Sequence, residues 1–146
     1  MKPARKKGQT AKLRSAAFRR IRADHQTELA GDYVELIADL IDERGAARGT
    51  DVAMRLGVAN ATVVKALKRL QDAGLVTQEP YRAIFLTGDG WKLAEDGRRK
   101  HKIVEGFLLA LGVGAATARI DSEGIEHHVS EETLRAMARF LARNGG

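Results

Sequence analysis

Within Leu29–Arg44, apolar residues recur at positions 33, 36, 37, 40 and 41, the spacing of three and four that lines one face of an α-helix. Gly45 supplies a stop. The pattern predicts a second, short helix over Thr50–Leu56, ended by Gly57, and a third over Ala61–Ala73. Asn60 is its expected N-cap, and Val63, Val64, Leu67 and Leu70 are expected to turn inward. After Gly74, Leu75–Gln78 and Ala83–Leu86 read as short strands joined through Glu79, Pro80, Tyr81 and Arg82. Two helices about a glycine turn, the second bearing Lys65, Lys68 and Arg69, followed by a hairpin, form the pattern of a winged helix-turn-helix.

Helical periodicity resumes with Thr87 as N-cap and runs to Leu111, before Gly112 and Gly114. Two further helices are predicted, about Ala115–His128 and Glu131–Asn144, the last capped by Ser130. Their apolar residues, among them Phe107, Leu108, Leu111, Ile120, Ile125, Leu134, Met137, Phe140 and Leu141, exceed what so small a helical unit buries alone. A subunit interface is the economical outlet, so a homodimer is expected. The fold class is mainly α with a small β-hairpin wing. Residues 29–90 are expected to form the winged helix-turn-helix and 91–146 a helical metal-binding and dimerisation domain.

Charge changes the picture at one end. Residues 1–30 hold nine Lys or Arg against Asp24 and Glu28, a surplus of seven, so with a net charge of +6 the remaining 116 residues sum to −1. Residues 1–28 are therefore expected to be a basic, disordered tail, either following nucleic-acid phosphates or merely solvated. The chain has 146 residues and no cysteine, which excludes disulfides, thiolate zinc sites and a cysteine nucleophile. It shows neither the apolar stretch of a signal peptide nor one long enough to span a membrane. A soluble, cytoplasmic protein with no membrane partner is expected.

Candidate chemistry falls in three places. Asp32 and Glu35 share a face of the first helix, away from its apolar stripe. Glu123, Glu126 and His127 stand at i, i+3 and i+4 and converge on one patch, while His101 sits on the long helix leaving the wing. Taken singly, each group also reads as a solvated helix face or a satisfied histidine.

The segments GDYVELIADLI, LGVANATVVKALKRL, LTGDGWKLAEDGRRKHKIVEGFLLALGV and DSEGIEHHVSEETL resemble the manganese transport regulators of the diphtheria toxin repressor family. The helix-turn-helix, a D-x-x-E pair, a mid-chain histidine and E-x-x-E-H-H follow in that family's order. The resemblance implies a dimeric winged-helix repressor that binds double-stranded operator DNA when loaded with metal. It makes Asp32, Glu35, His101, Glu123, Glu126 and His127 the ligands of two Mn2+ ions per subunit. One ion takes Asp32, Glu35, His101, Glu126 and a carbonyl near Glu123; the other takes Glu35, Glu123, Glu126 and His127, with Glu35 and Glu126 bridging. His128 has no ligand role in the pattern. The resemblance also places Asn60, Ala61 and Thr62 nearest base edges in the major groove, with Lys65 in reach. Lys68 and Arg69 lie nearer phosphates, and Tyr81 and Arg82 form the wing tip. Departures are the basic stretch before Leu29, which only some relatives share, and the absence of the SH3-like third domain of the iron-responsive branch.

Four carboxylates and two imidazoles form a hard, oxygen-rich donor set suited to Mn2+, with Fe2+, Co2+, Cd2+ or Zn2+ as substitutes. The iron-responsive branch carries sulfur where this chain has Glu126. Two rivals remain: a binuclear hydrolase, although no residue is left as general base, and a winged-helix regulator answering Fe2+ or an organic ligand. No catalytic residue is assigned, and a non-enzymatic protein is expected.

Overall fold

The computed structural model describes residues 4–79 and 82–144. In chain order its elements are α1 (Ala4–Arg44), α2 (Gly49–Leu56), α3 (Asn60–Asp72), β1 (Val76–Thr77), β2 (Phe85–Leu86), α4 (Gly88–Ala110), α5 (Ala115–Ile125) and α6 (Glu131–Arg143). The basic stretch expected to be disordered is instead helical from Ala4 and continuous with the helix read from Leu29. Alanine, lysine, arginine and glutamine dominate it and are strong helix formers. Once Leu29–Arg44 is packed, extending the helix backwards costs propagation only, not a new nucleus. Residues 8–19 are exposed throughout, Leu13 and Phe18 included, so this part of α1 rests on propensity rather than packing.

The winged-helix core forms where α1 lays Tyr33, Val34, Ile37 and Leu40 against Val52 of α2, Val63, Leu67 and Leu70 of α3, and Val76, Ile84 and Leu86 of the hairpin. Each such buried aliphatic side chain contributes about 1.5–3 kcal/mol. Two details of the sequence reading change at α3. Val64 is 66% exposed, because the buried face runs through Val63, Leu67 and Leu70 and Val64 lies one residue's rotation off it. The N-cap is Ala59 rather than Asn60, with no side-chain capping bond. Gly57 adopts φ 67°, a left-handed turn that lets Val58 N–H donate to Ala53 O at 3.1 Å and brings the chain into helix at Asn60.

The strands are shorter than predicted: Val76 pairs with Leu86 and Thr77 with Phe85, antiparallel. Ile84 N–H also donates to Ala47 O at 2.8 Å, tying the hairpin to the link between α1 and α2. Thr87 joins two elements through one hydroxyl. Its Oγ1 accepts from Gly90 N–H at 3.1 Å, capping α4, and donates to Gly74 O at 2.6 Å behind α3. Gly90 permits this closeness, since a Cβ there would stand 2.1 Å from Leu75 O.

From the wing, α4 runs between α1 on one side and α5 and α6 on the other. Val104, Ala118 and Leu134 are fully buried at that junction, and Phe107 meets Phe140 edge to face at 5.3 Å between ring centres. Ser130 caps α6 by accepting from Thr133 N–H at 3.2 Å. The segment predicted as Ala115–His128 stops being regular helix at Ile125. His128 N–H donates to Ile125 O three residues back, a tightened last turn that re-aims Glu126 and His127. Leu109, Leu111 and Ile120 remain exposed.

Candidate metal centre

Three helices supply the centre. α1 carries Asp32 and Glu35 beside the buried pair Tyr33 and Val34, α4 carries His101, and the end of α5 carries Glu123, Glu126 and His127. His101 Nδ1 lies 2.8 Å from Glu126 Oε2 and 3.7 Å from Glu123 Oε1. These three residues offer ligand atoms all within 4.8 Å of one another. His127 Nε2 lies 3.2 Å from Asp32 Oδ1 and 3.6 Å from Glu126 Oε1. Glu126, only 2% exposed, thus stands between both imidazoles. Glu35 makes none of these contacts. Its carboxylate rests against α4 at Gly97, where a Cβ would fall 2.0 Å from Oε1.

Such crowding perturbs proton affinity. Burial lifts the Glu35 carboxyl to about 7, with Asp32 and Glu123 adding to the rise and His127 opposing it. Burial likewise lifts Glu126 to about 7; His101 opposes, and Glu35 and Glu123 reinforce. For His101, burial favours the neutral ring, but Glu126, Glu123 and Glu105 outweigh it and the net shift is upward. His101 and Glu126 attract one another yet both hold protons more tightly, because burial and like charge dominate at the glutamate.

Two buried oxygens, Glu35 Oε1 and Glu126 Oε1, have no hydrogen-bond partner among the described residues. Buried carboxylate oxygens left this way are costly, and a cation is their natural complement. A hard divalent ion therefore fits the residues present: carboxylates and imidazoles converge, two oxygens await a partner, and the chain has no sulfur ligand from cysteine.

The sequence reading missed two contributors. Glu105 Oε2 lies 2.7 Å from His101 Nε2, holding one ring nitrogen and leaving Nδ1 toward Glu126 and Glu123. Its i, i+4 spacing from His101 was a readable signal. Ser122, fully buried, spends its hydroxyl on Arg119 O at 2.9 Å and fits beneath His101; only the fold reveals that.

In the winged helix, Asn60, Ala61, Thr62, Lys65, Lys68 and Arg69 of α3 are all exposed. Lys68, Asn60 and Arg82 line a groove of about 780 Å³ between α2, α3 and the hairpin, together with Arg48, Thr50, Gln71 and Gln78. Lys65 and Arg69 face a different groove, bounded by Leu29 and Tyr33 of α1. Arg82 pairs with Glu79 at 3.0 Å. Tyr81 lies outside the described residues.

A winged helix-turn-helix whose first helix carries two of the six residues of a carboxylate and imidazole centre defines a metal-responsive DNA-binding protein. Two family models match: iron dependent repressor, N-terminal DNA binding domain, over residues 25–84, and iron dependent repressor, metal binding and dimerisation domain, over residues 87–144. The chain is 56% identical over 128 residues to the transcriptional regulator MntR of Escherichia coli O6:H1, covering 88% of this chain and 83% of that protein. The chain belongs to the iron-dependent repressor family of transcriptional regulators. Among solved structures, the manganese regulator SloR matches with a TM-score of 0.68 at 27% identity, over 77% of this chain and 53% of that one. A manganese-dependent transcriptional repressor in complex with manganese matches with a TM-score of 0.67 at 30% identity, over 80% and 52%. The chain thus spans about half the length of these two solved proteins. These relatives are regulators and not enzymes, which sets the hydrolase alternative aside. Among the described residues, no helix is long and apolar enough to cross a membrane.

Proposed function

We propose that this chain is a manganese-responsive repressor of metal-uptake genes that acts in the cytoplasm as a homodimer on double-stranded operator DNA. Two Mn2+ ions per subunit serve as co-repressor, and Fe2+, Co2+, Cd2+ or Zn2+ are substitutes the donor set admits. The observation that carries the reading is Glu126: 2% exposed, one oxygen on His101 and the other without a hydrogen bond, 3.6 Å from His127 Nε2, between residues of α1, α4 and α5. The chain's likeness to a solved manganese-dependent repressor in complex with manganese, at 30% identity, favours manganese over iron.

Asp32, Glu35, His101, Glu123, Glu126 and His127 are the residues that would hold the metal. When bound, a dication supplies the positive charge that four neighbouring carboxylates lack. The chain's own residues do the rest. Asp32 and Glu35 ride on α1, whose buried face underlies the reading helix α3, while Glu123 rides on α5 and Glu126 and His127 on the turn that ends it. Drawing the two sets together ties the DNA-binding half to the dimerisation half and selects one separation of the two α3 helices in the dimer. Affinity for operator and for metal then rise together, by reciprocity. Exposed Leu109, Leu111 and Ile120 offer apolar surface for the dimer.

Asn60, Ala61 and Thr62 approach base edges, and Asn60 is free for this because it is not the cap. Lys65, Lys68 and Arg69 stand nearer phosphates, and Arg82 and Tyr81 are further DNA contacts; Arg48 and Thr50, on the same groove as Lys68, join the phosphate contacts. A duplex selected from a random pool by the manganese-loaded protein, then titrated by fluorescence anisotropy, tests the reading. Mn2+ should tighten binding about 5- to 150-fold, and Glu126→Gln should abolish the gain. Equal affinity with and without Mn2+ overturns the proposal, and a larger gain with Fe2+ under anaerobic conditions reassigns the metal.

A further inference from the structure

Gly97 lies in the interior of α4 with nothing in its backbone that requires glycine. Such a glycine weakens a helix relative to alanine, so its presence there calls for a spatial reason. That reason is the Glu35 side chain. A Cβ at position 97 would stand 2.0 Å from Glu35 Oε1, 2.8 Å from its Cδ and 3.3 Å from its Cγ. Gly97 is one helical turn before His101 on the same face of α4. The bare backbone is a socket that admits a carboxylate from α1 beside the histidine.

The seam around the socket does not give way easily. Ala38 and Ala94 are buried in the core that joins the two helices. Arg98 NH2 reaches Asp39 at 2.8 Å and Asp42 at 2.9 Å, pinning α4 to α1 one turn and two turns beyond Glu35. A methyl group at 97 therefore displaces the end of the Glu35 side chain, which is flexible, and not the helix.

We propose that Gly97 is a positioning residue for the metal centre: its missing side chain is what allows Glu35 to lie against α4 beside His101 and join the ligands. The inference rests on the metal-binding reading above. It also predicts an inversion of the usual mutational sign. Evicting Glu35 frees a buried, unpartnered oxygen and improves the helix, so the metal-free protein gains stability while losing its hold on metal.

The test compares the full-length wild type with Gly97→Ala, Glu35→Ala and the double variant. Two readouts are taken, the melting temperature of the metal-free protein by circular dichroism and Mn2+ affinity by isothermal titration calorimetry. Gly97→Ala should melt at or above wild type when metal-free and bind Mn2+ about tenfold or more weakly. In the Glu35→Ala background, adding Gly97→Ala should weaken Mn2+ no further, because the glycine acts only through that carboxylate. A metal-free melting temperature below wild type, an unchanged Mn2+ affinity, or an additive loss in the double variant each overturns the inference. Absence of Mn2+ binding in the wild type itself brings down the metal reading, and this inference with it.

Discussion

Raising the pH of the metal-free protein from about 5 to about 8 should destabilise it, opposite to the trend expected of ion-paired carboxylates. Glu126 titrates near 7 because burial, with Glu35 and Glu123 nearby, outweighs His101. Its folded-state proton affinity is therefore above the unfolded value, and the protonated form contributes stability that is complete below about 4.5 and lost as pH rises through about 7. At about 1.36 kcal/mol per unit, the rise at this 2%-exposed side chain corresponds to roughly 3 kcal/mol. Glu35, also lifted to about 7, acts in the same direction through burial, with Asp32 and Glu123 adding to the rise. His101, raised as well by Glu126, Glu123 and Glu105, acts in the same direction. Urea denaturation of chelator-treated protein at matched ionic strength reads the slope. Glu126→Gln should flatten most of it. Adding Mn2+ should reverse its sign, since the ligands bind metal deprotonated. A metal-free stability that is constant or rising between pH 5 and 8 would refute the reasoning.

Leu134→Ala empties a fully buried position between α4 and α6 and should cost about 2–5 kcal/mol in thermal or urea denaturation. Arg98→Ala removes the pairs to Asp39 and Asp42 at the half-exposed α1–α4 seam; the loss should be within about 1 kcal/mol and shrink in about 1 M salt. Lys68→Ala should weaken DNA binding uniformly across sequences and lower the salt slope by about one unit, measured by anisotropy over a salt series. Truncation before Leu29 should reduce that slope further while leaving the Mn2+ response in place, because residues 8–19 are exposed and far in sequence from the metal cluster.

Periodicity and caps carried most of the architecture. The stripe over positions 33–41, the Gly57 turn, Thr87 and Ser130 as N-caps and the wing hairpin all correspond to observed elements. What was not legible came from competition between neighbours. Val64 and Val63 are equally apolar, and only the direction from which α1 packs on α3 decides which is buried. Asn60 is a better cap than Ala59 by propensity, yet the Gly57 turn sets the helix start. The N-terminal stretch looked like a tail because it lacks a core face, but helix propensity next to an already packed segment needs none. At the candidate site, spacing alone grouped Glu123, Glu126 and His127. That Glu126 is the buried member facing both imidazoles, and that Gly97 makes room for Glu35, depends on how three helices cross.

One helix connects the hydroxyl that closes the reading helix to the imidazole of the metal cluster. Thr87, bonded to Gly74 O, and His101 are separated by fourteen residues of α4, roughly 21 Å at 1.5 Å per residue. That stretch is uninterrupted by proline. For a rigid rod of that length, a difference of about 5° in orientation at one end corresponds to about 2 Å at the other, on the scale that separates a formed hydrogen bond from a broken one. The alignment of His101 with the Thr87–Gly74 link behind α3 is thus set by the length of this stretch, and it changes with every residue inserted into or removed from it.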